Sequence, residues 1–186
     1  EKLVGEEFAI MSFSDGNTLK HMIPVKDYKR LKDGNNGPNT GSMGSITTSN
    51  GNFWFLNDGD INQCHMINEK VIQLLKRETG QSYKGILYGS FMKTNKKEIK
   101  VIEFNARFGD PECINVLELL ENDLLDIFKA ICNQELHKIN LSFRQEASIF
   151  KYKVPEGYPD RGLKGEIVNL DYNDNIIYSS ITKNEN

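Results

Sequence analysis

Two oxygen-bearing side chains at the end of an apolar run have the types and spacing for metal chemistry. The run Val101-Ile102-Glu103-Phe104-Asn105 predicts a strand. Because side chains along a strand alternate between its faces, Glu103 and Asn105 project from the same one. A carboxylate is costly to bury among apolar side chains such as Val101, Ile102 and Phe104 unless it is paired. One carboxylate and one amide oxygen suit Mg²⁺, which takes few protein oxygens beside waters and phosphates. The alternative is a Glu103–lysine salt bridge, with Asn105 ending the strand in a turn.

The segment that follows, 105–112, adds a cation and leads into a predicted helix. Arg107 offers a planar fork of donors for a carboxylate or phosphate. Gly109 permits a tight turn, and Pro111 suits the first helical turn, beyond which backbone amides could face an anion. These features favour an anion-binding role. The alternative is an ion pair between Arg107 and Asp110 that braces the loop.

A long segment with little apolar periodicity, 24–52, is rich in cations and glycine. Lys26-Asp27-Tyr28-Lys29-Arg30 places three cations beside one carboxylate. The small residues of Gly37-Pro38-Asn39-Thr40-Gly41-Ser42-Met43-Gly44 would let backbone N–H groups approach an anion. We expect little regular structure here, and loops of this length are usually functional. The segment is therefore a candidate phosphate-binding loop, with a mobile surface loop as the alternative.

Regular elements on both sides of this segment must position these side chains. Helical spacing of apolar residues predicts helices, and runs of apolar residues predict strands. The turn signal Asp15-Gly16-Asn17 predicts a hairpin after the first strand. The predicted strands are Glu6–Ser14, Thr18–Ile23, Tyr83–Thr94, Ile99–Asn105, Ala147–Val154, Glu166–Leu170 and Ile176–Ile181, and the predicted helices are Asp60–Thr79, Glu112–Glu121 and Leu124–Asn133. The pattern indicates an α+β fold.

The composition excludes several classes of protein. With 38% hydrophobic and 10% aromatic residues among 186, the chain has globular rather than disordered composition. A net charge of -3 and a pI near 5.7 argue against a nucleic-acid partner. No stretch approaches the roughly 18 apolar residues of a membrane span. The three cysteines lack metal-ligand spacing and indicate reduced thiols, so we expect a cytoplasmic protein with no membrane partner.

Four segments taken together resemble the phosphoribosylamine–glycine ligases, or glycinamide ribonucleotide synthetases, of the ATP-grasp superfamily. They occur in one order over essentially the whole chain, and the last is the most specific. They are Leu3-Val4-Gly5-Glu6-Glu7-Phe8, Asp27-Tyr28-Lys29-Arg30, 37–44 and Glu103-Phe104-Asn105-Ala106-Arg107-Phe108-Gly109-Asp110-Pro111-Glu112. A fifth segment, Val154-Pro155-Glu156-Gly157-Tyr158-Pro159, is most similar to the archaeal-type members.

The resemblance implies the second half of an ATP-grasp fold, an antiparallel sheet with flanking helices, followed by the start of a small, mostly β C-terminal domain. Residues 1–140 would form the C-terminal part of the ATP-grasp domain, with the nucleotide, metal and acceptor sites. Residues 141–186 would begin the β-rich domain. An N-terminal domain and the ATP-grasp lid would lie upstream of this chain, so we expect the isolated fragment to be inactive.

The resemblance also implies an activity and its cofactors. Such enzymes use ATP, with Mg²⁺ or Mn²⁺, to ligate glycine to 5-phosphoribosylamine through glycyl phosphate. The partners would be these small molecules, and the enzyme would be a monomer or a homodimer. Two alternatives stay open. One is another ATP-grasp carboxylate–amine ligase with a different acceptor, and the other is a non-catalytic nucleotide-binding module.

Site roles carried over by the resemblance fall into four groups. For the nucleotide, Leu3 would lie at the adenine-contacting hinge and Glu7 would accept hydrogen bonds from the ribose hydroxyls. For the metal, Glu103 and Asn105 would coordinate Mg²⁺. Lys29 and Arg30 would meet the transferred phosphate, and Asp27 would orient these two cations. The substrate loop would be lined by Asn39, Thr40 and Gly41. Arg107 and Asp110 would hold glycine or the phosphoryl intermediate.

Several positions depart from the pattern of the family, among them Tyr28, Ser42 and Cys113. Ser42 stands where a second glycine is usual. If this position requires a positive φ, serine there costs about 1 kcal/mol or more. The sequence leaves open whether Ser42 alters activity or acceptor specificity.

Overall fold

The computed structural model describes residues 1–163, 165–168 and 175–182, in two compact units, Glu1–Lys153 and Val154–Asn186. Nine strands and three α-helices lie in the first unit. The strands are β1 (Gly5–Ser14), β2 (Leu19–His21), β3 (Lys26–Asp27), β4 (Arg30–Lys32), β5 (Asn36–Asn39), β6 (Gly44–Thr47), β7 (Gly85–Thr94), β8 (Ile99–Asn105) and β9 (Ser148–Lys151), and the helices are α1 (Asp58–Thr79), α2 (Glu112–Leu119) and α3 (Leu124–Asn133).

The main sheet has the order β2-β1-β7-β8, with every neighbouring pair antiparallel. Strands β1 and β7 pair along their full length, from Gly5 opposite Thr94 to Ser14 opposite Gly85. The predicted hairpin between β1 and β2 is confirmed. Its turn is closed by Asp15, whose Oδ1 accepts hydrogen bonds from the backbone of Asn17 and Thr18 at 2.9 and 2.7 Å.

Both faces of this sheet are covered by apolar side chains. One face packs against α1 through the cluster Phe8, Ile10, Cys64, Phe91 and Ile99. The other face packs against α2 and α3 through a larger cluster that includes Ala9, Met11, Phe13, Tyr88, Val116, Ile127 and Ile131. Because successive residues of β1 alternate between these clusters, the strand is buried on both sides from Phe8 to Ser14.

Helix α1 begins and ends with recognisable capping groups. Asn57 caps the start, because its side chain accepts from the Asp60 N–H while Asp60 accepts from the Asn57 N–H. Gly80 ends the helix with φ 71°. The three predicted helices are confirmed. Helix α3 has the predicted bounds, whereas α1 begins two residues before the predicted Asp60 and α2 ends at Leu119.

The expectation of little regular structure in 24–52 is wrong. It contains four short strands, β3 and β6, which form a three-stranded sheet with β9, and β4 and β5, which form a hairpin. Strands this short are paired through the backbone and carry little apolar periodicity, so the sequence pattern does not reveal them. Gly44 is required at the start of β6, because its φ is 146° and a Cβ there would collide with the carbonyl oxygen of Phe150 in β9.

The α+β fold class is confirmed by this arrangement of antiparallel sheets and flanking helices. The mostly β C-terminal domain predicted for 141–186 falls partly outside the described residues. Its described part contributes β9, whereas the described residues of 154–186 hold turns and no strand or helix. The predicted strand Ile176–Ile181 is therefore wrong, and the predicted strand Glu166–Leu170 falls partly outside the described residues. The division at residue 140 stays a prediction.

Two compositional expectations concern the described residues directly. No helix among them is long and apolar enough to cross a membrane. Cys64, Cys113 and Cys132 are all free thiols. Burial raises the pKa of Cys64 to about 12, so this thiol is held protonated and unreactive.

Candidate functional site

One face of the main sheet gathers the polar residues that the sequence singles out. Residues directly opposite each other in an antiparallel pair share a face. Ser90 of β7 lies opposite Ala9 of β1 and opposite Glu103 of β8. Since Glu7 is two residues before Ala9, and Asn105 two residues after Glu103, all of them lie on the face away from α1.

Glu103 and Asn105 project together at the end of β8, as the strand alternation predicts. The Asn105 side chain donates through Nδ2 to Oε1 of Glu103 at 2.9 Å. Glu103 is exposed and Asn105 partly exposed, so the carboxylate does not pay the cost of burial. The β7–β8 pairing has a one-residue register shift at the Ser90–Phe91 step, next to Glu103. No lysine or arginine among the described residues forms an ion pair with Glu103, which removes the salt-bridge alternative.

This pair fits a magnesium ion in its chemistry. It offers two hard oxygen donors on one face, with solvent access for the waters and phosphates that complete an octahedral shell. It does not fit a metal held by protein alone. In the part of the chain that the structure describes, no group of three or more His, Cys, Asp or Glu residues could hold a metal ion.

Lys29 and Glu7 form an ion pair above the same face of the sheet. The distance between Lys29 Nζ and Glu7 Oε1 is 2.6 Å, and Ser90 Oγ lies 3.4 Å from the same oxygen. Burial lowers the pKa of Lys29, but the hydrogen bond and charge of Glu7, together with Asp27 and Glu112, raise it to above its ordinary value. Lys29 is therefore a permanent cation at neutral pH.

Asp27 is a half-buried carboxylate among other acidic groups. Burial raises its pKa to about 6. A hydrogen bond from Ser42 and the charge of Lys29 lower the pKa, whereas the charges of Glu112 and Glu7 raise it. The result is a carboxylate whose protonation changes just below neutral pH.

Glu112 and Tyr88 form a buried pair beside Asp27 that the sequence reasoning did not single out. The Tyr88 hydroxyl donates to Oε1 of Glu112 at 2.6 Å, and Glu112 is only 3% exposed. Burial and the adjacent Glu112 raise the pKa of Tyr88, so the phenol stays a donor. Gly109 is required here, because a Cβ would lie 2.6 Å from the Tyr88 ring and 2.7 Å from Oε2 of Glu112. One signal in the sequence could have found this pair. Tyr88 lies two residues before Ser90, so strand alternation places it on the same face.

The predicted substrate-loop residues lie where the β4–β5 hairpin returns to Lys29. Thr40 donates to the Lys29 carbonyl through its N–H at 2.7 Å and its hydroxyl at 3.0 Å. Arg30 donates to the Gly37 carbonyl at 2.9 Å, which braces the hairpin. Asn39 and Gly41 are exposed on either side of Thr40. The structure therefore places this loop against Lys29 through backbone contacts.

Ser42 follows the loop and points back toward Asp27. Its hydroxyl donates to Oδ1 of Asp27 at 2.6 Å. Its φ is not positive, since the non-glycine residues with positive φ in the part of the chain that the structure describes are Asn35, Asn50, Lys97, Gln134 and Ser180. The conditional strain that the sequence suggested for serine at this position is therefore absent.

Arg107 and Asp110 are not joined to each other. Arg107 is exposed and donates to the carbonyl of Phe108 at 2.7 Å, and Asp110 accepts from the Tyr152 hydroxyl at 3.1 Å. The ion-pair alternative is absent among the described residues. Leu3 is partly buried just before β1 begins. The structure thus brings together Glu7, Asp27 and Lys29 through side-chain bonds and charges, and Glu103 with Asn105, but not Arg107 with Asp110.

Known proteins match this chain over most of its length. Residues 1–113 match the family model described as phosphoribosylglycinamide synthetase, ATP-grasp (A) domain. The phosphoribosylamine–glycine ligase of Methanocorpusculum labreanum is 46% identical over 177 residues, which are 95% of this chain and 41% of that protein. The ligase of the same name from Methanosarcina barkeri is 42% identical over 187 residues, covering 100% of this chain and 43% of that protein.

A solved structure supports the same relationship. The crystal structure of phosphoribosylamine–glycine ligase from Thermotoga maritima superposes with a TM-score of 0.69 at 27% identity, over 86% of this chain and 39% of that one. The chain therefore spans about two fifths of the length of the relatives it matches.

Proposed function

The chain belongs to the phosphoribosylglycinamide synthetase family, and on this basis we propose that the protein containing it ligates glycine to 5-phosphoribosylamine. The reaction consumes ATP and yields glycinamide ribonucleotide, ADP and phosphate, a step of de novo purine biosynthesis. The observation that carries the proposal is the shared sheet face on which Glu7, Glu103 and Asn105 lie, with Lys29 bonded to Glu7.

Glu7 and Leu3 would hold the nucleoside of ATP. The carboxylate of Glu7 is partly exposed, so a ligand can reach it. Its oxygens are acceptors and can therefore receive hydrogen bonds from ribose hydroxyls. Leu3 lies before the first residue of β1 and would contribute an apolar contact to adenine. When ATP binds, the ribose hydroxyls and Lys29 would share the two oxygens of Glu7.

Glu103 and Asn105 would hold Mg²⁺ or Mn²⁺, with Oδ1 of Asn105 and the carboxylate as ligands. The ion supplies charge neutralisation for the ATP phosphates when it is bound. The contribution of this chain is a strand end that presents both oxygens on one face without a competing cation.

Lys29 and Arg30 would stabilise the phosphoryl group in transfer. The carboxylate of glycine attacks the γ-phosphate, which gives glycyl phosphate and ADP. Such transfers need mainly positioning and charge stabilisation, and the raised pKa of Lys29 keeps its cation in place at neutral pH. Arg107 and Asp110, both exposed near the end of β8, would hold glycine or glycyl phosphate.

Asp27, Asn39, Thr40 and Gly41 would meet the acceptor. Asp27 would orient Lys29 and bind donor groups of phosphoribosylamine, while the loop residues line the space around it. The amine of phosphoribosylamine then attacks the carbonyl of glycyl phosphate, and phosphate leaves. We further propose that the protein works in the cytoplasm as a monomer or homodimer, on small molecules and without a nucleic-acid partner.

The experiment that tests this proposal follows ADP release by the full-length protein. The assay contains Mg²⁺-ATP, glycine and phosphoribosylamine generated in place, and each component is omitted in turn. The proposal predicts release that requires both glycine and the amine. Release that ignores phosphoribosylamine but responds to another amine would instead indicate a ligase with a different acceptor. No release from a folded protein would favour a nucleotide-binding module.

A further inference from the structure

Ser42 connects the end of the substrate loop, residues 39–41, to the carboxylate of Asp27. Its side chain is buried, with 6% of the residue exposed, and its hydroxyl donates to Oδ1 of Asp27 at 2.6 Å. The same hydroxyl accepts the N–H of Gly44 at 3.0 Å. A hydroxyl has one donor and two acceptor sites, so it can make both bonds at once. One side chain thereby couples the turn into β6 to the end of β3.

The second oxygen of Asp27 is differently placed. Oδ2 accepts no hydrogen bond from any residue in the part of the chain that the structure describes. Oδ2 is not among the buried, unpaired side-chain atoms of the described residues, so it is open to solvent and can accept a hydrogen bond from a ligand donor. Ser42 thus occupies one oxygen and leaves the other for a ligand.

The groups facing Asp27 explain why one hydroxyl matters. They come from the segment that follows its strand and from three other elements, and they are Lys29, Glu7 of β1, Tyr88 of β7 and Glu112 of α2. Two of them are carboxylates, which disfavour the charged form of Asp27. The donors that favour the charged form are Ser42 through a hydrogen bond and Lys29 through its charge.

We propose that Ser42 is a positioning residue. Its hydroxyl holds Oδ1 of Asp27 beside the substrate loop, so that Oδ2 receives a hydroxyl or amine donor of the acceptor substrate. The activity readout of this proposal rests on the proposed function, whereas the coupling of Ser42 to Asp27 does not. The departure from glycine at this position then gives this chain a donor that glycine cannot provide.

The coupling has a measurable consequence in the substrate-free protein. Loss of the hydroxyl removes a bond to the charged form of Asp27, so its pKa should rise above the value of about 6. Ser42→Ala and Ser42→Gly both remove the hydroxyl, and Ser42→Thr retains one. Agreement between Ser42→Ala and Ser42→Gly guards against a packing defect in either variant.

The test uses the full-length protein with two readouts. The first is the titration of the Asp27 carboxyl by NMR, with ¹³C-labelled aspartate and Asp27→Asn to assign the signal. The second is the pH profile of kcat/KM for phosphoribosylamine. We expect Ser42→Ala and Ser42→Gly to raise the Asp27 midpoint and to move the acid limb of the profile to higher pH. They should also lower kcat/KM roughly tenfold or more, the effect of losing one charge-assisted hydrogen bond. Ser42→Thr should stay near the wild type.

Three results separate the possible failures. An unchanged Asp27 midpoint in both folded hydroxyl-less variants would overturn the proposal whatever the activity. A loss of kcat/KM with an unmoved acid limb would also overturn it, since a packing role alone has that effect. A raised Asp27 midpoint in a protein whose wild type makes no ligase product would support the coupling and overturn the proposed function.

Discussion

At the scale of single residues, the exposed carboxylate of Glu103 is the group on which the metal assignment depends. Its pairing with Asn105 follows from strand alternation alone, which is a local property of five residues. The bonds of Ser42 to Asp27 and of Tyr88 to Glu112 could not be predicted in the same way. They join residues 15 and 24 positions apart, through contacts that exist only once β6 and α2 have docked.

Replacing Glu103 tests this assignment. Glu103→Gln keeps the shape of the side chain but removes its charge, which weakens metal binding and leaves the phosphate charge less neutralised. We expect turnover in the full-length protein to fall by at least about a hundredfold with an intact fold. Steady-state kinetics at several Mg²⁺ concentrations measure the effect.

The matched control for this change is Glu98→Gln. Glu98 is an exposed carboxylate in the same β7–β8 hairpin, at the end far from Asn105, and its one ion pair among the described residues is with Lys100. It should retain near-normal turnover. Near-normal turnover of Glu103→Gln at saturating Mg²⁺ would contradict the metal assignment.

At the scale of elements, helix α2 is attached to the three-stranded β3-β6-β9 sheet through one buried side-chain amide, that of Asn115. Asn115 is fully buried, and its Nδ2 donates to the carbonyl of Ser148 in β9 at 3.0 Å and to the carbonyl of Ser45 in β6 at 3.3 Å. Its Oδ1 accepts from the Ser45 hydroxyl. The substrate loop precedes β6, so this amide also holds the base of the loop. Helix α2 itself was predictable from its apolar spacing, whereas the short strands it clamps were not.

Removing this amide should loosen the attachment of α2. Asn115→Ala leaves two buried carbonyls without this donor, and we expect the free energy of unfolding to fall by about 1–3 kcal/mol. Asn133→Ala is the control, since Asn133 is exposed at the end of α3 and its replacement should stay within about 0.5 kcal/mol. Urea denaturation followed by circular dichroism compares them. Equal stability of the two variants would contradict the role of Asn115.

The contact between α1 and β2 should be sensitive to acid. The rings of His21 and His65 stack with centroids 4.0 Å apart, and burial lowers the pKa of each to about 4. The folded pKa lies below the ordinary value of 6.5, so the folded state resists protonation. The stability from the neutral pair is complete above pH 6.5 and is lost as the pH falls toward about 4.

His65→Gln should reduce this acid sensitivity, because glutamine cannot take up a proton. We expect the variant to lose less stability than the wild type between pH 7 and pH 5, as measured by urea midpoints. His137→Gln is the control, because His137 is exposed, and it should keep the wild-type pH dependence. Identical pH slopes for all three proteins would show that the stacked pair does not titrate with folding.

At the scale of the whole molecule, the 186 residues cover about two fifths of the length of each relative that they match. The α+β class followed from the spacing of apolar residues, and the family followed from four short segments in one order. The arrangement of the three-stranded β3-β6-β9 sheet could not be predicted from the sequence, because its strands have two to four residues each and are specified by tertiary pairing.

The polypeptide Glu1–Asn186 alone should release no ADP from Mg²⁺-ATP above the rate without protein. The described face carries metal-type ligands, Lys29 and Glu7, but the relatives it matches are more than twice its length. The same assay with the full-length protein is the positive control. Substantial ADP release by the isolated polypeptide, sensitive to Glu103→Gln, would show that the 186 residues form a complete nucleotide site.

The central claim is that this sheet face belongs to an enzyme that joins glycine to phosphoribosylamine. The most direct measurement supplies the full-length protein with Mg²⁺-ATP, ¹³C-labelled glycine and phosphoribosylamine generated in place, and analyses the products by mass spectrometry. We expect labelled glycinamide ribonucleotide in equal amount to ADP, with both products formed at least about a hundredfold more slowly by Glu103→Gln. ADP formed without that ribonucleotide, or glycine joined to a different amine, would contradict it.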